Sequence, residues 1–164
     1  NLGSELAKET DLKADLVVPV PDSGVPAALG YAEQSKKQFE LGLIRNHYVG
    51  RTFIEPTQNI RSLGVKLKLS STKTIVKNKS IILIDDSLVR GTTCHKIVKM
   101  LYESGAKEVH VRIACPEIKY PDFYGVDMPT KEELLAHNKN NQEMCEYIQA
   151  KSLKFLSLNG LYKA

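Results

Sequence analysis

The stretch SIILIDDSLVRGTTCHKIVKMLYES, residues 80 to 104, constrains the fold of this chain more than any other part. It begins with an apolar run, Ile81 to Ile84, which predicts a buried strand. From Thr92 onward the apolar residues follow helical spacing, and Gly105 stands after them as a stop signal. A strand that leads through a short turn into a helix is the repeating unit of a sheet covered by helices.

The same alternation of strand and helix signals runs through the rest of the chain. Further strands are predicted at DLVVPV, FELGLIRN and EVHVRIAC, which begin at residues 15, 39 and 108. Helices are predicted over NLGSELAKET and VPAALGYAEQSKK, and two or three shorter ones after residue 115, including KEELLAH and QEMCEYIQA. The sequence therefore predicts an α/β fold in one domain, residues 1–164, with a doubly wound, mostly parallel sheet that binds ligands at the carboxyl ends of its strands.

Composition narrows the class of protein. With 164 residues, 42% of them apolar and 26% charged, the chain can form one well-packed core but not two. No apolar run has the length of a membrane span and no signal peptide is visible, so we expect a soluble, cytoplasmic protein that binds no membrane. Three cysteines without metal-type spacing argue against a disulfide framework or a zinc site. Because Asn1 stands where a methionine would begin a complete chain, we expect a piece of something longer.

Two adjacent carboxylates, Asp85 and Asp86, stand where the predicted strand ends. They would repel each other at the ligand edge of the sheet unless a cation or a diol lies between them. The next residues offer backbone N–H groups, two hydroxyls from Thr92 and Thr93, and a helix N-terminus, which together can hold a phosphate. Gly91 allows the backbone to approach that phosphate closely. This order of groups predicts a site for a ribose 5′-phosphate.

Two other interpretations of these residues stay open on the sequence alone. Acidic residues at strand ends are common in turns, and a Gly-Thr-Thr sequence is often only a helix cap. A phospho-acceptor or phosphatase-type pocket also has aspartates at strand ends. Neither alternative accounts for the basic segment between residues 45 and 68, where a single acid, Glu55, faces five cations. A connection of this length without periodicity is typical of a lid or binding loop, here for an anion. Its five cations are Arg45, Arg51, Arg61, Lys66 and Lys68.

The motif ILIDDSLVRGTT resembles the phosphoribosyl pyrophosphate (PRPP) signature of the type I phosphoribosyltransferases, and its ending resembles the glutamine PRPP amidotransferases among them. The similarity continues through VPVPDSG, GLIRNHYVGRTFI, PEIKYPDFYGVDMPT and SLKFLSLNGL, so it covers essentially the whole chain. The resemblance implies the type I fold with a flexible flap. It also implies synthesis of 5-phosphoribosylamine and pyrophosphate from PRPP and ammonia, the first committed step of purine biosynthesis. In that family a separate N-terminal glutaminase domain releases the ammonia from glutamine, and these residues do not contain it.

The resemblance also implies roles for particular residues. Ser23, Asp85 and Asp86 would hold Mg²⁺, directly or through its waters. The residues expected to bind PRPP are Asp22, Ser23, Gly24, Asp85, Asp86, Ser87, Val89, Arg90, Gly91, Thr92 and Thr93. The flap would supply four catalytic contacts to the anion, namely Arg45, Tyr48, Arg51 and Lys68.

Further expectations concern cofactors, partners and competing functions. Asp122 stands where relatives with an iron–sulfur cluster have a cysteine, so we expect no such cluster. We expect a homo-oligomer, joined to a glutaminase domain and regulated by purine nucleotides, that binds no nucleic acid. One alternative is a noncatalytic PRPP-sensing regulatory domain, which would usually carry a DNA-binding segment. A second is a phosphoribosyltransferase for a purine or pyrimidine base, which would have a base-specific hood in place of RNHYVGRTFI.

Overall fold

A computed structural model describes residues 1–45, 69–121 and 130–164, with the side chains of residues 45 and 69–71 excepted. The strands in these ranges are β1 (Leu16–Pro19), β2 (Gln38–Phe39), β3 (Leu43–Arg45), β4 (Leu69–Ser71), β5 (Ser80–Asp85), β6 (Glu108–Ile113) and β7 (Ser152–Phe155). The helices are α1 (Leu2–Lys8), α2 (Val25–Ser35), α3 (Lys73–Val76), α4 (Thr92–Glu103), α5 (Leu135–Asn138), α6 (Asn141–Ile148) and α7 (Leu158–Lys163), with a 3₁₀ turn at Lys131–Glu133.

Five of the strands form one parallel sheet in the order β2-β1-β5-β6-β7. β5 lies at its centre, and Val18 pairs with Leu83 on one side while Ile84 pairs with Arg112 on the other. The remaining strands, β3 and β4, pair antiparallel in a small second sheet. The chain builds the large sheet outward in both directions from the β1–β5 pair, which confirms the predicted doubly wound arrangement.

Both faces of the large sheet are covered. Ile81 and Leu83 of β5 pack into a core with α4 and α6, whereas Ile82 and Ile84 pack against α1 and α2 on the opposite face. All four of these side chains are completely buried. This explains why β5 is a continuous apolar run and not an alternating one, since a strand covered on both faces has no solvent side.

Two parts of the fold differ from the sequence prediction. The segment FELGLIRN forms two strands in different sheets, because the chain turns at Gly42, whose N–H donates to the Glu40 carbonyl at 2.9 Å. β7 was not predicted from the pattern of the sequence. It has only four residues at the sheet edge, with Leu153 and Phe155 buried and Lys154 exposed, which is too short a run for a clear strand signal.

The predictions about membrane spans and about the cysteines can be compared with the residues that the structure describes. No helix there combines the length and the apolar character that crossing a bilayer requires. The three cysteines are free thiols in this structure, with Cys94 buried and the other two, Cys115 and Cys145, partly buried.

Candidate active site

The candidate site lies where β1 and β5 end side by side, at the point from which the sheet extends in both directions. Open α/β sheets bind their ligands at such switch points. A cavity of about 380 Å³ occupies this position. The described residues that line it are Val20, Pro21, Ser23, Asp85, Asp86, Ser87, Leu88, Val89, Arg90, Gly91, Thr92, Thr93 and Cys94.

The first wall of the cavity is the turn after β1, residues 21–24, which we call the pyrophosphate turn. Its backbone lies directly on β5, because a Cβ atom on Gly24 would be 2.4 Å from the Ile84 carbonyl oxygen. The Gly24 N–H donates to the Val20 carbonyl at 2.9 Å, and the Pro21–Asp22 peptide bond is cis. Asp22 and Ser23 are exposed at the top of this turn. Gly24 is therefore the buried support beneath Ser23, which lines the cavity.

The acidic pair forms the floor between the two turns. Asp85 Oδ1 accepts a hydrogen bond from the Asp86 N–H at 2.9 Å and a longer one from Ser23 Oγ at 3.4 Å. The Asp86 Oδ1 accepts from the Ser87 N–H at 2.7 Å. Burial raises the pKa of Asp85 to about 7, and the neighbouring Asp86 carboxyl contributes to the increase. Holding this carboxylate charged is costly without a positive partner.

The second wall is residues 89–93, which we call the phosphate turn. Gly91 has a backbone φ of +76°, a conformation that favours glycine, and it directs the chain into α4. Among the described residues, none accepts a hydrogen bond from the backbone N–H groups of this turn. The hydroxyls of Thr92 and Thr93 are exposed beside them in the first turn of α4. Free N–H groups, hydroxyls and the positive end of a helix together suit an anion.

The donor set at the acidic pair fits magnesium. Mg²⁺ prefers oxygen ligands and is usually held by one or two carboxylates together with the phosphates of a substrate. Asp85 and Asp86 supply the carboxylates, with the Ser23 hydroxyl 3.4 Å from Asp85. In the described ranges no group of three or more acidic, histidine or cysteine side chains could hold a metal alone. Asp85, Asp86 and Ser23 match the oxygen ligands of a magnesium ion that is held together with a phosphorylated ligand.

Most of the residues that the sequence analysis selected for PRPP line this one cavity, although their roles stay predictions. Asp22 and Gly24 do not line it. Arg90 lines the cavity, and its guanidinium is paired with the Glu133 carboxylate at 3.3 Å. Tyr48, Arg51, Lys68 and Asp122 lie outside the described residues, and Arg45 ends β3 with an undescribed side chain.

The sequence analysis missed the residues that support the phosphate turn from behind. The Leu135 N–H donates to the Val89 carbonyl at 2.9 Å, and Leu135 and Tyr147 also contact Gly91. These residues come from the short helices α5 and α6, more than 40 positions further along the chain. No local pattern in KEELLAH or QEMCEYIQA indicates which strand-end turn they contact.

Proteins of known family are similar to this chain in sequence and in structure. The model of the phosphoribosyl transferase domain family matches residues 2–143. An amidophosphoribosyltransferase of Rhizobium etli is 59% identical over all of this chain and 33% of its own length, and that of Methanocaldococcus jannaschii is 53% identical over 99% of the chain and 35% of its own length. A Bacillus subtilis glutamine PRPP amidotransferase complexed with ADP and GMP superposes with a TM-score of 0.89 at 51% identity, covering 99% of this chain and 36% of that one. The chain thus spans about a third of the length of the relatives it matches.

Proposed function

The chain belongs to the phosphoribosyl transferase domain family, and on this premise we propose that it is the phosphoribosyltransferase domain of an amidophosphoribosyltransferase. It converts PRPP and ammonia into 5-phosphoribosylamine and pyrophosphate, the first committed step of purine biosynthesis. The observation that carries the proposal is the acidic pair beside the free N–H groups of the phosphate turn in one cavity of about 380 Å³. These two features match the vicinal hydroxyls and the 5′-phosphate of one ribose.

Each part of PRPP has a complementary group in this proposal. The phosphate turn binds the 5′-phosphate through its N–H groups and the N-terminus of α4. The carboxylates of Asp85 and Asp86 accept hydrogen bonds from the ribose hydroxyls. Ser23 and the backbone of the pyrophosphate turn face the leaving group. Two turns on adjacent strands therefore hold both ends of the substrate, and the anomeric carbon lies between them.

The reaction needs positioning more than acid–base catalysis. The nitrogen lone pair of ammonia forms a bond to the anomeric carbon while the bond from that carbon to the pyrophosphate oxygen breaks. The electrons of the broken bond leave with pyrophosphate, and the nitrogen loses its extra proton to solvent. Because positive charge develops on the ribose, the nearby Asp85 and Asp86 carboxylates favour the transition state.

Magnesium fits the same acidic pair, with Ser23 as a further oxygen ligand. When bound, it would neutralise the negative charge that develops on the departing pyrophosphate. The protein's part is to hold the two carboxylates in register with the pyrophosphate turn, which the hydrogen bond from the Ser23 hydroxyl to Asp85 supports.

The remaining partners are proposed from the relatives. Because the matched relatives are about three times longer than this chain, we propose that a glutaminase domain N-terminal to these residues supplies the ammonia. Binding of ADP and GMP by the Bacillus subtilis relative suggests control by purine nucleotides here as well. A cytoplasmic homo-oligomer is the assembly we expect for such an enzyme.

The thiols of this chain do not suit glutamine hydrolysis. Burial raises the pKa of Cys94 to about 12 and that of Cys115 to about 11, and it also raises the pKa of Cys145. A thiol with such a pKa carries very little of the nucleophilic thiolate at neutral pH. We therefore assign the release of ammonia to the proposed glutaminase domain and not to these thiols.

This proposal predicts ammonia-dependent turnover. In the presence of PRPP and Mg²⁺ the chain should release pyrophosphate when ammonium salts are added, and faster at alkaline pH, because the neutral form of ammonia is the nucleophile. Glutamine should not replace ammonium for these 164 residues. The measurement is a coupled pyrophosphate assay, with water alone as the control for hydrolysis.

Other outcomes of that assay would select other functions. Glutamine-dependent release by these residues would contradict the assignment of ammonia production to another domain. Release that depends on a purine or pyrimidine base would indicate a base phosphoribosyltransferase. PRPP binding without release under any acceptor would favour the noncatalytic regulatory domain, an alternative to which the names of the relatives give no support.

A further inference from the structure

The phosphate turn is held from behind by a part of the chain that does not line the cavity. We call residues 131–148, which contain the 3₁₀ turn, α5 and α6, the outer segment. The Leu135 N–H donates to the Val89 carbonyl at 2.9 Å. The Glu133 carboxylate pairs with the guanidinium of Arg90 at 3.3 Å on the exposed surface. The outer segment thus contacts two consecutive residues of the turn.

Two side chains of the outer segment lie beside Gly91. A Cβ atom on this glycine would be 2.7 Å from Leu135 Cδ2 and 3.1 Å from Tyr147 Cε1. Gly91 is buried even though Thr92 and Thr93 beside it are exposed. The two side chains therefore fill the space where a Cβ atom would lie, at the residue whose φ of +76° sets the direction of the turn. If either side chain were shortened, the backbone at this residue would lose its packing support.

Tyr147 also contacts α4, the helix that follows the phosphate turn, one helical turn after Gly91. His95, in the first part of α4, contacts the Tyr147 carbonyl oxygen through Nδ1 at 2.9 Å. Because a carbonyl only accepts hydrogen bonds, Nδ1 carries the proton. The rings of His95 and Tyr147 also lie with their centroids 6.1 Å apart. Tyr147 therefore contacts the phosphate turn and the start of α4 together, although 40% of the residue is exposed.

We propose that Tyr147 is a positioning residue for the 5′-phosphate: its ring holds Gly91, and with it the N–H groups of the phosphate turn, in the orientation that binds this group. The inference rests on the proposed function, because the ligand of the turn is taken to be the phosphate of PRPP. The pyrophosphate turn is anchored separately, on Ile84 of β5. Tyr147 therefore acts on one end of the substrate and not on the other.

This difference between the two ends provides the test. The probes are ribose 5-phosphate and pyrophosphate in Mg²⁺, titrated by calorimetry into the full-length polypeptide that contains these residues. Tyr147→Ala should weaken ribose 5-phosphate binding about tenfold, which corresponds to about 1.4 kcal/mol, and leave pyrophosphate binding within about twofold of wild type. Tyr147→Phe should restore the affinity, because the ring and not the hydroxyl contacts Gly91.

The matched control is Ile148→Val on the same helix. Ile148 is fully buried in the core beside α4, so its shortening also lowers the unfolding stability measured in urea. It should leave both affinities unchanged. If Tyr147→Ala weakens the two probes equally, or no more than Ile148→Val does, the positioning role is wrong.

The proposed function and this inference fail in different ways. A wild-type protein that binds ribose 5-phosphate but releases no pyrophosphate with any acceptor would contradict the function alone, and the two affinities would still test Tyr147. A wild-type protein that binds neither probe would overturn both. Failure of Tyr147→Phe to restore ribose 5-phosphate binding would contradict the assignment to the ring.

Discussion

Replacement of Asp85 and Asp86 together by asparagine is expected to weaken PRPP binding in Mg²⁺ by about 100-fold or more, since two charged hydrogen-bond acceptors contribute on the order of 1.5–3 kcal/mol each. The shapes of the side chains are kept, but their affinity for the cation and for ribose hydroxyls is lost. The fold should not suffer, because the half-buried Asp85 carboxylate, whose pKa is raised to about 7, is itself unfavourable in the free protein. Calorimetry with PRPP measures the binding and urea unfolding measures the stability.

A control variant with the same change in net charge shows whether the loss of PRPP affinity comes from the acidic pair or from the change in total charge. Asp11→Asn with Glu103→Gln removes two exposed carboxylates remote from the strand ends. PRPP affinity should stay within about twofold of wild type in this control. Equal affinity of the acidic-pair variant and wild type would show that these carboxylates do not bind the substrate.

Gly24→Ala is expected to lower the rate of pyrophosphate release by on the order of 100-fold, the effect that a displacement of about 1 Å in a positioning group can have. The added methyl group would lie 2.4 Å from the Ile84 carbonyl oxygen and 3.0 Å from that of Val20. Both atoms belong to the backbone, so they cannot rotate away, and the pyrophosphate turn has to move. Overpacking of this kind costs about 1–3 kcal/mol of unfolding free energy. Steady-state assays and urea unfolding measure the two effects.

Gly105→Ala is the control for this loss of stability. Gly105 lies after α4 with a φ of +96°, where an alanine costs about 1–2 kcal/mol. Its Cβ would lie nearest to the flexible Lys77 side chain, at 3.3 Å, and 3.7 Å from the Lys77 Cα atom, which is an ordinary contact distance. This variant should unfold about as readily as Gly24→Ala but keep its turnover. Similar rates for the two variants would mean that the position of the pyrophosphate turn is unimportant.

Strand β5, the turn after it and helix α4 could be predicted from the sequence, because the signals for all three lie in one continuous stretch. The apolar run of β5, the two carboxylates after it and the helix that begins at Thr92 are contiguous. Parallel topology then brings the ends of β1 and β5 to one edge of the sheet. The acidic pair and the phosphate turn follow from these local signals, whereas the roles of Asp22, Ser23 and Gly24 rest on the resemblance to the family.

The contacts that hold the phosphate turn from behind could not be predicted, because they join distant parts of the chain. Leu135 is a buried position and Tyr147 a partly exposed one in short helices, and only the fold shows that both lie beside Gly91. The ion pair of Arg90 with Glu133 likewise joins residues 43 positions apart. Strand β7 was missed since four residues at a sheet edge form too short a pattern. The predicted contacts of Tyr48, Arg51 and Lys68 lie outside the described residues.

The most direct test of the account is an NMR titration of the ¹⁵N-labelled chain with ribose 5-phosphate and then with PRPP in Mg²⁺. The account predicts that ribose 5-phosphate shifts the amide signals of Arg90 to Thr93 most, because those N–H groups would bind the phosphate. PRPP with Mg²⁺ should add large shifts at Ser23, Asp85 and Asp86. The largest shifts at a remote surface, such as the groove between Pro116 and Leu158, or no shifts at either turn, would contradict the assignment of this site to PRPP.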